Sequence, residues 1–275
     1  LVTNILDTPL IEELPKGFMS TRTGKRSFNW RSDKAATLIY VEALDGGDPA
    51  NVVDYRDEIF ELEAPFNGEG KSLIKTINRF AGIDWGNANL AIAYDRWWNS
   101  RNTKAYAFNP SNNEVSPKII NDRNYQDVYS DPGTFMKERN SYNRSVLKLH
   151  SGSAFLRGAG FTSEGQFPFI DKVNVESFSK KRVYQSTYTN KVESIQDYDP
   201  SKKQLMVRIE SPTEFPNYYT KKTNSSKLTK VTDFKNPFKE LQNVKKQTIT
   251  YTRDDGLELS GILYLPLNYD EEKKE

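Results

Sequence analysis

The chain has 275 residues, with 39 Lys or Arg against 37 Asp or Glu, so its formal net charge is +2. The near-balance excludes a globally basic nucleic-acid binder, and we predict no nucleic-acid partner. The length is ample for a sizeable core, and 12% aromatic residues indicate a folded chain, since disordered segments lack them.

Cysteine is absent from the sequence, which excludes disulfides, cysteine nucleophiles and thiolate metal sites. No apolar run approaches the roughly 20 residues needed to cross a bilayer, so we predict no membrane partner. The first residues have neither an initiator Met nor a basic segment, which indicates a fragment boundary rather than a signal peptide. Cytoplasm and periplasm both stay open, as does secretion of a parent protein.

Short β-rich runs separated by turn clusters recur along the chain and predict an all-β fold. The best helix candidate, 54–62, is equally readable as an alternating strand. A leading strand remnant is expected at 2–10. The remaining runs fall into groups of four, which we predict to be four-stranded blades at residues 25–78, 80–121, 133–185 and 192–233.

Within the third group the four expected strands are 133–136, 145–149, 169–175 and 182–184. Repetition of four-strand units is typical of a β-propeller, whose usual period is about 40–50 residues per blade. A four-stranded meander has two apolar faces and buries them only by packing against neighbouring blades. We therefore predict a partial β-propeller over 1–235. Four large aromatic residues are expected at the interfaces between blades: Trp30, Trp85, Phe108 and Tyr184. The alternative is a pair of β-sandwiches.

The pattern changes after residue 235, where a turn-rich connector leads into a hairpin. Alternating apolar residues run into an Asp255-Gly256 turn and out again to Pro266. We assign 236–275 to a linker, this hairpin and a charged tail.

The hairpin resembles the junction at which S9 (prolyl-oligopeptidase-type) serine peptidases pass from a propeller to an α/β-hydrolase domain. The junction has the form Y-x-R-x-D-G-x-x-L-x-G-x-L-Y-L-P-x-x-Y-D. The matching residues are Tyr251, Arg253, Asp255, Gly256, Leu259, Gly261, Leu263, Tyr264, Leu265, Pro266, Tyr269 and Asp270.

The upstream part resembles the propeller of the glutamyl-endopeptidase-like branch of that family, and the likeness covers about Pro15 to Asp270. The stretches that carry it are 26–34, 41–48, 127–133 and 165–171. The resemblance implies a non-catalytic propeller that gates the access of peptides to an active site on a hydrolase domain that this chain lacks. It also implies two partners, namely that absent domain and peptide substrates, and suggests that the substrates are acidic. Family propellers usually have about seven blades, so early blades are expected to be absent too.

Direct inspection finds no catalytic machinery. A serine triad needs a G-x-S-x-G elbow and a histidine base, but the sequence has no such elbow and its one histidine is His150. The stretch 68–72 fails as a P-loop because Pro65 stands where the first glycine is required. We predict no cofactor. The aspartate clusters 45–48 and 254–256 lack the EF-hand spacing, so we predict no metal.

Candidate substrate-binding residues lie in two segments. Segment 95–101 combines two tryptophans with two arginines, and an arginine fork suits carboxylates. The candidates there are Arg96, Trp97, Trp98 and Arg101, with packing between blades as the alternative. The basic segment 16–34 adds Arg22 and Arg26, and with them Arg31, as residues that could steer a substrate. The alternative is simple pairing with the acidic segment 45–63.

Three functions are compatible with these patterns. The first is the peptidase gate, the second a free-standing propeller that acts as a protein-interaction scaffold, and the third a carbohydrate-active propeller. The third has the least support because no pair of inward carboxylates can be placed in register. Unclosed blade edges and the orphaned hairpin also predict self-association.

Overall fold

The computed structural model describes residues 4–6, 12, 14–267 and 269. The predicted strand at 2–10 and the charged tail after Asp270 therefore lie largely outside the described residues. Within the part of the chain that is described, no helix is long and apolar enough to cross a membrane.

Four antiparallel four-stranded sheets confirm the all-β prediction, and we call them blades 1 to 4. Blades 1 and 2 are simple meanders in which each strand pairs with the next along the chain. The ambiguous segment 54–62 contains no helix, and from Asp57 onward it belongs to a strand. The strands of blade 1 are β1 (Arg26–Trp30), β2 (Thr37–Ala43), β3 (Asp57–Glu63) and β4 (Lys71–Thr76), and those of blade 2 are β5 (Arg79–Asn87), β6 (Leu90–Trp97), β7 (Asn102–Phe108) and β8 (Lys118–Asn124).

Blade 3 differs from its predicted strand assignment because two short ribbons interrupt the meander. The chain forms β9 (Thr134–Phe135), β10 (Lys137–Arg139), β11 (Ser145–Leu147), β12 (Ser153–Gly158), β13 (Phe161–Thr162), β14 (Gly165–Gln166), β15 (Phe169–Asn174) and β16 (Lys180–Gln185). The sheet is ordered β16-β15-β12-β9, while β10 pairs with β11 and β13 with β14. The prediction that 145–149 supplies the second blade strand is therefore wrong, and Ser153–Gly158 supplies it.

Blade 4 follows the predicted pattern, and the C-terminal hairpin forms as expected. The blade is a meander of β17 (Val192–Asp199), β18 (Gln204–Glu210), β19 (Asn217–Lys222) and β20 (Thr229–Lys230); a 3-10 helix at Lys239–Asn243 precedes the hairpin of β21 (Lys246–Thr252) and β22 (Glu258–Tyr264). Arg253 N donates a hydrogen bond to Leu257 O at the turn, which closes the Asp255-Gly256 turn at the tip of this hairpin.

Two compact units make up the chain. The first comprises Leu1–Thr187 with Asp199–Lys203, and the second Tyr188–Tyr198 with Gln204–Glu275. The first unit contains blades 1 to 3. This division concerns compactness alone, and the predicted domain boundary after residue 235 stays a prediction.

The core of the first unit lies between stacked blades. Val41 and Ile59 of blade 1 belong to one buried cluster with Trp85 and Phe108 of blade 2. A second cluster packs the opposite face of blade 2 against blade 3. Blade 2 is thus buried on both faces, which is the stacking expected of blades and excludes a two-sheet sandwich in this unit.

The prediction that Trp30 lies at an interface between blades is wrong. Trp85, Phe108 and Tyr184 are buried, but Trp30 is 48% exposed. It is the last residue of β1, and its ring lies edge-on to Phe66 with the ring centroids 5.7 Å apart. Trp30 therefore lies in no buried interface, although the guanidinium of Arg144, between β10 and β11, is 5.9 Å from its ring centroid.

The stacking predicts a large difference between two identical substitutions. Val41→Ala removes two methyl groups from a residue that is 0% exposed, and it should lower the free energy of unfolding by about 2 kcal/mol. Val52→Ala, at a residue that is 97% exposed, should change it by less than about 0.5 kcal/mol. Urea titrations followed by tryptophan fluorescence measure both. Equal effects would contradict burial of the blade faces.

Candidate substrate-facing site

The turn between β6 and β7 presents an aromatic and cationic cluster. Trp98 is 42% exposed, and its ring lies between Phe18, at a centroid distance of 4.5 Å, and the Arg101 guanidinium, 3.7 Å from the ring centroid. Arg101 Nη1 also donates to Trp98 O at 2.6 Å. Arg101 has a positive φ of 54°, a conformation that is uncommon outside glycine and that closes this tight turn. We call Trp98–Arg101 the hairpin tip.

Trp97 occupies a different environment although it adjoins Trp98 in sequence. The Arg56 guanidinium stacks on the Trp97 ring at 3.9 Å from the centroid, and Arg56 Nη1 lies 2.8 Å from Asp45 Oδ2. The ring is half-buried. Trp97 therefore packs blade 1 against blade 2, which is the structural alternative given for it above.

Arg96 points away from Trp97, because successive side chains of a strand leave it on opposite faces. Its guanidinium lies 4.6 Å from the centroid of the Tyr125 ring. The residue lines a cleft between blades 2 and 3. The four candidates of segment 95–101 thus divide between the hairpin tip, the junction of blades 1 and 2, and this cleft.

Arg26 belongs to a buried ionic network rather than to an open surface. Its Nη2 lies 2.5 Å from Oδ1 of Asp57, whose side chain is fully buried. Arg79 contacts the same carboxylate at 3.1 Å and Asp45 at 2.8 Å, and Arg56 completes the network through Asp45. Arg79 Nε also donates to Met19 O at 3.0 Å. The network therefore ties the N-terminal segment, blade 1 and the start of blade 2 together.

Arg31 is likewise internal, whereas Arg22 is half-buried. Arg31 donates to Glu61 at 2.5 Å and to Asp33 at 2.7 Å, and its guanidinium stacks on Trp85 at 4.2 Å from the centroid. The contacts of Arg26 and Arg31 with Asp57 and Glu61 join the basic segment 16–34 to the acidic segment 45–63. Simple charge pairing thus accounts for these two arginines, and substrate binding by Arg22 stays a prediction.

Sequence reasoning missed the roles of Asp45 and Arg79. Asp45 lies in the turn cluster considered above for calcium, and its carboxylate accepts hydrogen bonds from Arg79 Nη1, Arg56 Nη1 and Gly47 N. Arg79 was not singled out because nothing local to it signals a buried ion pair. The available signal was a basic residue at the first position of an apolar strand, where a paired charge is needed.

Asp95 holds the base of the hairpin that carries the candidate site. Its carboxylate accepts hydrogen bonds from Tyr106 Oη at 2.5 Å, Asn78 N at 2.9 Å and Lys104 N at 2.9 Å. Burial, together with the hydrogen bond to Asp95, raises the pKa of the Tyr106 hydroxyl above its ordinary value. This network fixes the start of β7 relative to the end of β6.

His150 lies in an exposed turn. It pairs with Ser153 in an isolated β-bridge, with hydrogen bonds in both directions between their backbones. This placement agrees with a turn histidine rather than with a catalytic base.

Removal of Arg26 should test its structural role. Arg26→Met leaves the buried Asp57 with Arg79 as its remaining cation, so we expect the free energy of unfolding to fall by about 1–3 kcal/mol. Arg22→Met removes the same charge from the same segment and should cost less than about 0.5 kcal/mol. Urea unfolding of both variants gives the comparison. An Arg26 variant no less stable than the Arg22 variant would show that the network is not structural.

The raised pKa of Tyr106 predicts a loss of stability at high pH. A group with a raised folded-state pKa contributes stability that is complete below its unfolded pKa, about 10 for tyrosine, and that is lost as the pH rises above it. Tyr106→Phe should therefore flatten the fall in unfolding free energy between about pH 10 and pH 11. Tyr129→Phe, at an exposed position, should leave that slope unchanged. Urea midpoints across this range measure the effect, and a slope unaltered by Tyr106→Phe would refute it.

Comparison with known proteins finds relatives that match nearly the whole chain. No protein-family model matches it. It is similar to a probable chloroplastic glutamyl endopeptidase of Oryza sativa subsp. japonica, with 35% identity over 285 residues, covering 98% of this chain and 30% of the rice protein. A protein of the same description from Arabidopsis thaliana is 33% identical over 289 residues, covering 99% of this chain and 30% of that protein.

Among solved structures, the chain is similar to oligopeptidase B from Trypanosoma brucei, with 11% identity and a TM-score of 0.46, over 90% of this chain and 40% of the other. The chain thus spans about three tenths of the length of the plant relatives that it matches. The match over nearly the whole chain but only 30% of each plant protein fits one part of a glutamyl-endopeptidase-like S9 peptidase.

Proposed function

We propose that this chain is the non-catalytic screening part of an S9-type serine peptidase, and that it restricts access of peptides to an active site on an α/β-hydrolase domain. The observation that carries the proposal is the match of nearly the whole chain to three tenths of two probable glutamyl endopeptidases. The sequence supports a non-catalytic role, since it contains no G-x-S-x-G and its one histidine lies in an exposed turn.

A screening role requires blades that do not separate easily, and blade 3 carries a device suited to this. The β10–β11 ribbon reaches from blade 3 to the loop that follows β1 in blade 1. There Arg144 donates to the carbonyl oxygens of Arg31, Lys34 and Ala35 at 3.0, 2.6 and 3.1 Å. Asn140 Nδ2 adds a hydrogen bond of 2.7 Å to Ser32 O. We call this set of contacts the Arg144 clamp.

The clamp supports exclusion by size. It joins blade 1 to blade 3 across blade 2, so separation of the blades must break charge-assisted hydrogen bonds as well as apolar packing. Extended peptides are narrow enough to pass where a folded protein is not. Selection of substrates by shape then needs no catalytic group in this chain.

Peptide contacts in this proposal come from exposed or half-buried members of the predicted set. At the hairpin tip Trp98 is exposed and Arg101 is half-buried, and the exposed Arg96 lines the cleft between blades 2 and 3. Arg26 and Trp97 do not contact the peptide in this proposal. Arg26 holds the start of β1 by pairing with Asp57, and Trp97 packs against Arg56. Arg22 is half-buried and adds positive charge to the segment that precedes β1.

The partner in this proposal is the rest of the parent protein. Both strands of the C-terminal hairpin expose large apolar side chains, including Ile249, Tyr251, Ile262 and Tyr264. An apolar surface of this kind is suited to contact with another protein surface. We propose that the hydrolase domain covers it, and that pairing between copies of the chain, through the hairpin or the blade edges, occurs where that domain is absent.

Two measurements test the screening role. The purified chain should hydrolyse no peptide and take up no serine-directed covalent inhibitor, whereas the full-length parent should do both. In the parent, Arg144→Ala should raise the cleavage of a folded protein by about tenfold relative to a short peptide of the same cleavage sequence, because loss of the clamp favours separated blades.

Arg139→Ala is the matched control. Arg139 lies on the same ribbon and donates to Asn143 O within that ribbon, so its loss should leave the ratio between the two substrates unchanged. Peptide hydrolysis by the chain alone would overturn the proposal. A parent without any peptidase activity would favour the interaction scaffold instead.

A further inference from the structure

A cleft of about 380 Å³ lies between blades 2 and 3 of the first unit. Its apolar lining comes from both blades and includes Ile120, Phe135, Leu156, Val173 and Phe178. Lys118 holds one edge of the cleft across the two blades, since its Nζ donates to Ser177 O at 2.8 Å. The cleft is thus formed by residues of both blades, and part of its lining is apolar.

The lining of the cleft also includes charged side chains, and the cationic ones outnumber the acidic ones. Arg96, Lys104, Arg123 and Lys180 are among the lining residues, whereas Asp131 is the one acidic residue among them. Lys104 pairs with Asp122 at 2.6 Å and Arg123 with Asp131 at 3.3 Å. Arg96 and Lys180 are exposed and leave the cleft with a surplus of positive charge.

Two covered polar atoms of the lining are unsatisfied. The Tyr125 hydroxyl and Arg123 Nε are buried and have no hydrogen-bond partner among the residues that the structure describes. A buried donor left without a partner destabilises the fold, so an oxygen that reaches it forms a favourable hydrogen bond. The side chain stacked on the Tyr125 ring is the exposed Arg96, so this ring lies beside a cation that suits a carboxylate.

We propose that the cleft binds an acidic segment of a peptide, with a carboxylate held by Arg96 and Lys180 and a neighbouring apolar side chain against the apolar part of the lining. The peptide character of the ligand rests on the proposed screening function, while the carboxylate follows from the charge of the lining. Arg96 supplies a planar fork that matches a carboxylate. The Tyr125 hydroxyl donates a further hydrogen bond to the ligand.

Direct binding to the full 275-residue chain tests the site. The probe is a short fluorescein-labelled peptide with one Phe-Glu-Glu segment, and the reference is the same peptide with both glutamates replaced by glutamine. Fluorescence anisotropy should show binding of the acidic peptide about tenfold tighter than the reference, as expected for charge-assisted hydrogen bonds. Equal binding of the two peptides, or binding of neither, would overturn the proposal.

Adjacent lysines on β16 provide a matched pair of variants. Lys180 lines the cleft, whereas Lys181 leaves the strand on the opposite face; both are exposed. Lys180→Gln and Arg96→Gln should each weaken binding of the acidic peptide by about tenfold, and Lys181→Gln should leave it unchanged. Equal weakening by Lys180→Gln and Lys181→Gln would mean attraction by overall charge and not by a site.

Tyr125→Phe separates ligand binding from folding. It removes a hydroxyl that has no partner in the described part of the chain but leaves the ring beneath Arg96. We expect severalfold weaker binding of the acidic peptide with no decrease in the urea midpoint. A purely structural hydroxyl would give the reverse, and that result would remove Tyr125 from the site.

Failure of this inference is distinguishable from failure of the screening function. Free glutamate or inorganic phosphate that competes as well as the peptide would reduce the cleft to a general anion site and overturn the peptide assignment. If acidic peptides bind as described while the Arg144 variant of the parent keeps its selectivity, the cleft stands and the screening proposal fails. If both peptides bind equally while that variant loses selectivity, screening stands and the cleft proposal fails.

Discussion

Ile92 and Ala93 are neighbours on β6, and both are buried although their side chains leave the strand on opposite faces. Ile92 packs towards blade 3 and Ala93 towards blade 1. A sheet of this kind has no face for water, so it is stable only between two others. Alternation of small and large side chains on β7 serves the same end, since Ala105 and Ala107 face one neighbour while Tyr106 and Phe108 face the other. Every other feature of the first unit depends on this stacking.

The buried ionic network of the first unit lies at strand ends, since Arg26, Asp57 and Arg79 are the first residues of β1, β3 and β5. Buried ion pairs add little net stability compared with apolar packing, because desolvation offsets most of the attraction. The network is formed by Arg26, Asp57, Arg79, Asp45 and Arg56. We interpret its role as fixing the position of β5 along blade 1. Each carboxylate in it meets two guanidinium groups, so a shift of β5 along blade 1 would leave charges buried without partners.

Most of the fold could be predicted because strand alternation and turn residues are local signals. Blades 1, 2 and 4 and the C-terminal hairpin follow from them. Blade 3 does not, since Val146 and Leu147 are as apolar and as buried as a blade strand yet belong to the β10–β11 ribbon. The alternation of apolar residues predicts that a strand is buried, but it does not predict which other strand it pairs with. The same limit applies to Arg79 and Asp45, which are 34 residues apart in sequence and meet only after the blades have stacked.

Adjacent residues of the candidate site lie on opposite faces of β6, because the side chains of a strand alternate between its two faces. Arg96 and Trp97 are adjacent in sequence but belong to different interfaces of blade 2, so a compact motif became three separate environments. Arg96 lies on blade 2 and Lys180 on blade 3, so a carboxylate held by both favours the arrangement in which these blades are close together. An acidic peptide in the cleft would then strengthen the same blade contacts on which exclusion of folded proteins depends.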